Sequence, residues 1–232
     1  MSNRMVRFLA VALALAVALP SFGADKQGQS DKDAAAQAGL RSGDTLPGPF
    51  QVLSVTGPRT GKFLSPVVDY GVKPFVLVFV KDTKNLDNLG KFLQKLNALI
   101  AKHPDARLGA CVTFLEDGGY RKALATKGDA DGKGLAKAID DKEAIESKLR
   151  DWAGSSGLKL DRVFITVDHP GGPEQYRIDP EASTTVLVCD KLQLAADRVV
   201  FKAEPKQKDW DDVLKPVEKL VARAEREARP KK

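Results

Sequence analysis

The sequence predicts an α/β fold, a mixed central β-sheet with helices on both faces. Three observations lead there. Pro74–Val80 (PFVLVFV) is a continuous apolar run rich in Val and Phe, the composition of a central strand covered on both sides. Leu86, Leu89, Phe92, Leu93, Leu96, Leu99 and Ile100 then recur at spacings of three and four, which predicts an amphipathic helix ending near His103-Pro104. Leu108–Leu115 (LGACVTFL) is a second apolar run. Strand, helix and strand in that order form a βαβ unit, whose two strands are parallel.

Later elements extend this sheet. Phe50–Thr56 (FQVLSVT) reads as a short hairpin or extended arm, closed by Gly57-Pro58-Arg59-Thr60-Gly61. Glu116–Gly134 is a Gly/Asp/Lys loop with a weak helical turn over Tyr120–Ala125. Asp141–Trp152 sets Ile145, Leu149 and Trp152 on one helical face, stopped by Gly154 and Gly157. Arg162–Val167 is a third strand. Thr184–Cys189 and Arg198–Phe201 predict an antiparallel hairpin. From Asp209 to about Glu227, Trp210, Val213, Leu214, Val217, Leu220, Val221 and Ala224 mark the last helix, with Pro216 on its polar side as a kink.

The first residues carry an address. Arg4 and Arg7 precede the apolar run Phe8–Leu19, and Pro20 and Phe22-Gly23-Ala24 follow. This is the pattern of a secretory signal cut after Ala24. The run falls short of the roughly 20 residues a bilayer span needs, so no stable membrane span is expected after cleavage. The expected organisation is a signal peptide over 1–24, a polar Ala-rich linker over 25–42, one domain over 43–228 and a basic tail over 229–232. The expected location is exported, periplasmic or extracellular.

The net charge of +6 arises from 37 Lys and Arg interleaved with 31 Asp and Glu. A nucleic-acid protein concentrates its cations on one face beside stacking aromatics. Aromatics here are only 6% and sit mostly in apolar runs, so a solvated surface and no nucleic-acid partner are expected.

Several local patterns, in this order, resemble the redoxin branch of the thioredoxin-like superfamily (the thiol-specific antioxidant and cytochrome-biogenesis thioredoxins). Gly43-Asp44, Pro47 and Phe50 resemble the family's opening. Gly71-Val72-Lys73-Pro74 resembles its lead-in to the first core strand. Val163–Asp168, then Glu174–Ile178, then Thr184–Lys191 resemble its later core segment. The likeness spans about Gly43 to Ala224 and implies a thioredoxin-like fold.

The resemblance also implies a Cys-x-x-Cys pair or one peroxidatic Cys just after the first core strand, where a helix N-terminus lowers the thiol pKa. In this chain that window is Lys84-Asn85-Leu86-Asp87, with no Cys, Ser or Thr. A Thr-x-x-Cys pattern starting at Thr83 puts Leu86 at the Cys position. The family's cis-proline before its third core strand is replaced by Thr184. A cis bond before a non-proline residue costs about 2.5–4 kcal/mol, so a trans bond is expected.

Cys111 and Cys189 are the only cysteines. In the implied strand order PFVLVFV lies between their strands, separating them by about 9.6 Å. A disulfide needs Cα atoms within about 7 Å, so buried, unpaired thiols are expected. Asp129–Gly134 with Asp140 resembles part of a calcium loop, but Lys133 falls on a ligand position, so a solvated loop and no metal are expected. His103 and His169 read as exposed loop residues without a catalytic or zinc-binding partner. Trp152 and Trp210 read as core. At Lys81–Asp87 a helix start beside a lysine can hold an anion or a peptide carbonyl; the plainer reading is that Thr83 or Asn85 caps the helix.

The sequence thus points to an exported, redox-inactive binding or interaction module for a protein or peptide, with a groove at Lys84, Asn85, Asp87 and Thr184. No catalytic residue, cofactor or metal is expected. The alternative is a divergent redoxin, a thiol oxidoreductase or peroxidase, using Cys111 or Cys189 as a lone nucleophile. A third reading is a scaffold held near the membrane by an uncleaved signal.

Overall fold

The computed structural model describes residues 40–81, 86–126, 132–155 and 158–229. The signal and most of the linker, Lys84, Asn85, Asp129 and Asp131 lie outside the described residues. The strands are β1 (Val52–Ser54), β2 (Phe63–Leu64), β3 (Phe75–Val80), β4 (Gly109–Leu115), β5 (Phe164–Asp168), β6 (Thr184–Asp190), β7 (Gln193–Leu194) and β8 (Val199–Phe201). The helices are α1 (Pro66–Tyr70), α2 (Asp87–Lys102), α3 (Tyr120–Ala125), α4 (Lys133–Gly154) and α5 (Gln207–Ala228), with 3-10 turns at Pro104–Ala106 and Glu174–Tyr176.

One sheet runs β2-β1-β5-β4-β3-β6-β7, with β8 also paired to β6. β3, β4 and β5 are parallel, and β6 is antiparallel to β3. β3 is buried at every residue because it has strand neighbours on both sides and cover on both faces. This is the predicted βαβ unit followed by a hairpin and a helix, a thioredoxin-like fold.

The two faces differ. Val76, Val78, Ala110, Val112, Ile165, Val186 and Val188 point to the face where the apolar stripes of α2, α4 and α5 pack. Here Trp210 stacks on Phe92 with centroids 4.5 Å apart, and Phe114 meets Trp152 edge-on. Phe75, Leu77, Phe79, Cys111, Leu187 and Cys189 point the other way. That face is covered by short α1, the Glu174–Tyr176 turn and the arm bearing Leu46 and Phe50. The arm is held to β7, as Gly43 N–H donates to the Leu194 carbonyl and Leu46 N–H to that of Leu192.

Two features depart from expectation. α4 begins at Lys133, well before the apolar stripe that predicts it. Its first turns are supported by the i,i+4 pairs Lys137–Asp141 and Lys142–Glu146 instead of a buried face. His103 is half-buried, with Nδ1 2.8 Å from Glu225 Oε1 on α5, not an isolated loop residue. Among the described residues no helix is long and apolar enough to cross a membrane.

Candidate functional site

The C-terminal ends of β3, β4 and β5 meet along one edge of the sheet, beside the start of α2, because these strands are parallel. Ligands of open α/β sheets gather at such edges. The expected groove lies here, and two of its four residues can be placed. Asp87 is the first residue of α2 and is exposed. Thr184 opens β6, only 4% exposed, between Val80 and Phe201 in the sheet. The peptide bond before it is trans, since the described residues contain no cis bond. The residue preceding α2 is Leu86, which has no side-chain acceptor with which to cap it.

Around Thr184 the surface is closed down. Lys81 N–H donates to the Ser183 carbonyl at 2.9 Å. Its ammonium donates to the carbonyls of Asp179 and Pro180 at 3.0 and 2.7 Å. Ser183 N–H donates to the Phe201 carbonyl, and its hydroxyl lies 2.7 Å from that of Ala203. What remains is a pocket of about 60 Å³ lined by Val80, Leu86, Leu89, Thr184, Glu204 and Trp210. That is room for about two water molecules. The buried Trp210 indole N–H has no partner among the described residues. Among the described residues that line it there is no thiol, and Glu204 is the one ionisable side chain.

A polar cluster occupies the same edge. Asp117, just past β4, accepts hydrogen bonds from Gly119 N–H and Arg121 N–H at 3.0 and 3.1 Å and so holds the start of α3. Asp168, the last residue of β5, accepts from His169 N–H at 2.8 Å and from the Arg121 guanidinium at 3.4 Å. Burial pushes the Asp168 carboxyl above the usual carboxylate range; the His169 amide and the charges of His169 and Arg121 oppose this, and Asp117 adds to it. His169 Nδ1 accepts from Gly171 N–H at 3.1 Å, which puts the proton of the neutral ring on Nε2. Sequence reasoning missed this cluster. The available signal was that two predicted strands are each followed within two residues by an Asp and then closely by a Gly-Gly pair.

The cysteines lie elsewhere, inside the sheet, and both are unpaired. Leu77 of β3 is the register partner of Cys111 on one side and of Leu187 on the other, with Cys189 two residues beyond. Two strand spacings, about 9.6 Å, therefore separate the cysteines, too far for a disulfide. Cys111 Sγ lies 3.5 Å from Thr166 Oγ1, and Thr113 and Thr166 share a 2.9 Å hydrogen bond. Burial pushes the Cys111 thiol up from 9.0 to about 11, opposed by the hydrogen bonds of Thr166 and Thr113. Burial raises the Cys189 thiol further. Among the described residues no cluster of His, Cys, Asp or Glu could hold a metal ion.

No family model and no curated protein matches this sequence. Solved structures of redoxins are similar to it. A thiol peroxidase from Chromobacterium violaceum is 12% identical, with 80% of this chain and 90% of that chain covered and a TM-score of 0.49. The peroxidoxin BcpB from Mycobacterium tuberculosis is 14% identical, with 82% and 99% covered and a TM-score of 0.47. A peroxiredoxin-like protein from Aquifex aeolicus is 13% identical, with 78% and 88% covered and a TM-score of 0.45. The thioredoxin-like description of this chain stands on its own strand order and directions. The sequence between β3 and the first turn of α2 contains no cysteine.

Proposed function

We propose that this chain is an exported thioredoxin-like protein that performs no thiol redox chemistry and acts as a binding or interaction module. The observation that carries the reading is the position of its only two thiols. Cys111 and Cys189 are 1% and 0% exposed, within the sheet, and burial favours their protonated form. A thiol must be accessible and partly ionised to attack a disulfide or a peroxide. In this reading the helix start around Lys84, Asn85 and Asp87, with Thr184 beside it, receives a protein or peptide. No cofactor, metal or nucleic acid takes part.

The test is a thiol titration of the purified protein, native and then denatured, with an insulin-reduction assay alongside. Both thiols should stay silent until the chain unfolds, and insulin should not be reduced. Native-state reaction of either cysteine well below pH 9, or insulin turnover, would overturn the reading in favour of a lone-cysteine redoxin. Export is tested separately by N-terminal sequencing of the secreted protein, which should begin at Asp25. Retention of Met1 or Ser2 would instead support the membrane-held scaffold.

A further inference from the structure

The opposite edge of the sheet, at the N-terminal ends of β3 and β4, carries a second and larger concavity of about 490 Å³. This is within the usual range for small-molecule sites, about 300–1,000 Å³. Part of its lining is aromatic, and the Tyr70 ring also stacks on Phe75 at 5.3 Å. The Tyr70 and Phe164 rings lie 6.4 Å apart with planes only 22° from parallel, and Leu108 is beside them. Two glycines make room for these rings. A Cβ at Gly109 would stand 2.1 Å from the Tyr70 ring, and one at Gly57 2.8 Å from that of Phe164.

The rim is cationic. Arg59, Lys73, Arg107 and Arg162 line it with a single carboxylate, Asp69. Asp69 is already held by Arg59, at 2.7 and 2.8 Å. His103 lines the rim too, but its ring is engaged by Glu225. The exposed side chains of Lys73, Arg107 and Arg162 have no ion-pair or hydrogen-bond partner among the described residues. Arg107 also has a positive φ of 52°, where Gly or Asn would be unstrained.

We infer that this groove binds a small organic phosphomonoester, its dianion held among Lys73, Arg107 and Arg162 and its apolar body against Tyr70, Leu108 and Phe164. Asp161, beside Arg162, offsets part of its charge, yet three cations without an ion pair against one engaged carboxylate favour a ligand with more than one negative charge, and a phosphomonoester carries between about 1.5 and 2 at neutral pH. Arginine forks match phosphate oxygens in pairs. The aromatic lining offers apolar contact, which inorganic phosphate cannot use and an aromatic ester can. The groove lies at the other end of the strands from the Thr184 pocket and shares no residue with it.

The experiment is calorimetric titration of the full chain with 1-naphthyl phosphate at about 50 mM salt. Saturable one-to-one binding is expected. Inorganic phosphate and 1-naphthol should each bind at least tenfold more weakly. The Lys73→Gln/Arg162→Gln protein should lose at least tenfold in affinity with an unchanged melting temperature, whereas Lys91→Gln, on exposed α2 surface, should bind as the parent does. Failure to saturate, inorganic phosphate binding as well as the ester, or a double variant that folds and binds like the parent would each overturn the proposal. So would tight binding to phosphatidic-acid vesicles that 1-naphthyl phosphate does not displace, because the groove would then belong to a lipid surface.

Discussion

The Tyr70 ring lies against Gly109, close enough to exclude any side chain there, and its hydroxyl donates to the Ala110 carbonyl at 2.9 Å. Gly109 opens β4 in register with Phe75, so the backbone cannot withdraw without losing the ladder between the two central strands. Gly109→Ala is therefore expected to destabilise the protein by about 1–3 kcal/mol, the usual cost of overpacking. In a Tyr70→Ala background most of that cost should disappear, because the clash is with the ring. Urea unfolding of the four proteins of this cycle measures the coupling. An additive cycle would show that the ring moves aside.

Thr113 and Thr166 face each other from adjacent parallel strands, with hydroxyls 2.9 Å apart and fully buried. Thr166 also donates to the Val112 carbonyl and lies 3.5 Å from Cys111 Sγ. Thr166→Val would strand the Thr113 hydroxyl in an apolar layer at a cost of about 1–3 kcal/mol. Replacing both threonines by valine keeps the shape and removes both polar groups, so the double variant should be more stable than Thr166→Val alone. Thermal melts of the three proteins decide it. A double variant no better than the single would mean that Thr113 finds another partner.

The buried thiols give stability a sign at high pH. Cys111 is held at about 11 against an ordinary 9.0, chiefly by burial. Between these values the unfolded chain gives up a proton that the folded chain keeps. The contribution is thus complete below about pH 9 and is lost as pH rises towards 11, roughly 2–3 kcal/mol in all. Burial raises Cys189, Tyr70 and Tyr176 as well, so the parent's slope has several sources. The expected result is that unfolding free energy falls between pH 9 and 10.5 and falls less steeply in Cys111→Ala. Equal slopes would place the Cys111 thiol in contact with solvent.

Much of the fold was legible because its centre is built from unambiguous patterns. β3, β4 and β6 are largely apolar at successive positions, and α2 carries six apolar residues at helical spacing. The order of these elements also predicts why Cys111 and Cys189 cannot pair, since β3 stands between them. The edge of the sheet was harder to read. β1 is three residues long and pairs with β5, more than a hundred residues later, through Leu53–Val167 and Ser54–Thr166. The first turns of α4 bury little and are held by charge pairs, so no apolar stripe marks them. The polar cluster was hard to read for a different reason. Arg121 and Asp168 are far apart in sequence, and only the parallel register of β4 on β5, with Leu115 opposite Asp168, brings them together. The aromatic lining of the basic groove is likewise assembled across Tyr70, Gly109 and Phe164.

Lys81 sits where β3 leaves the sheet, and its ammonium binds the carbonyls of Asp179 and Pro180, in the segment that leads into β6. This segment has little else to fix it: Ala182 N–H donates to the Asp179 carbonyl and Glu181 N–H to the Asp179 carboxylate. Lys81→Met keeps the aliphatic stem and removes both charge-assisted bonds. Each such bond is worth about 1.5–3 kcal/mol when buried and less where water competes, and Lys81 is half-buried. A loss of about 1–2 kcal/mol is expected. Hydrogen exchange should also localise it. The Glu181 and Ala182 amides should exchange faster in Lys81→Met, while Ser183 N–H, bound to the Phe201 carbonyl of β8, should keep its protection. Uniform acceleration across the sheet would instead make Lys81 part of the global core, and unchanged exchange would mean that the two carbonyls are held without it.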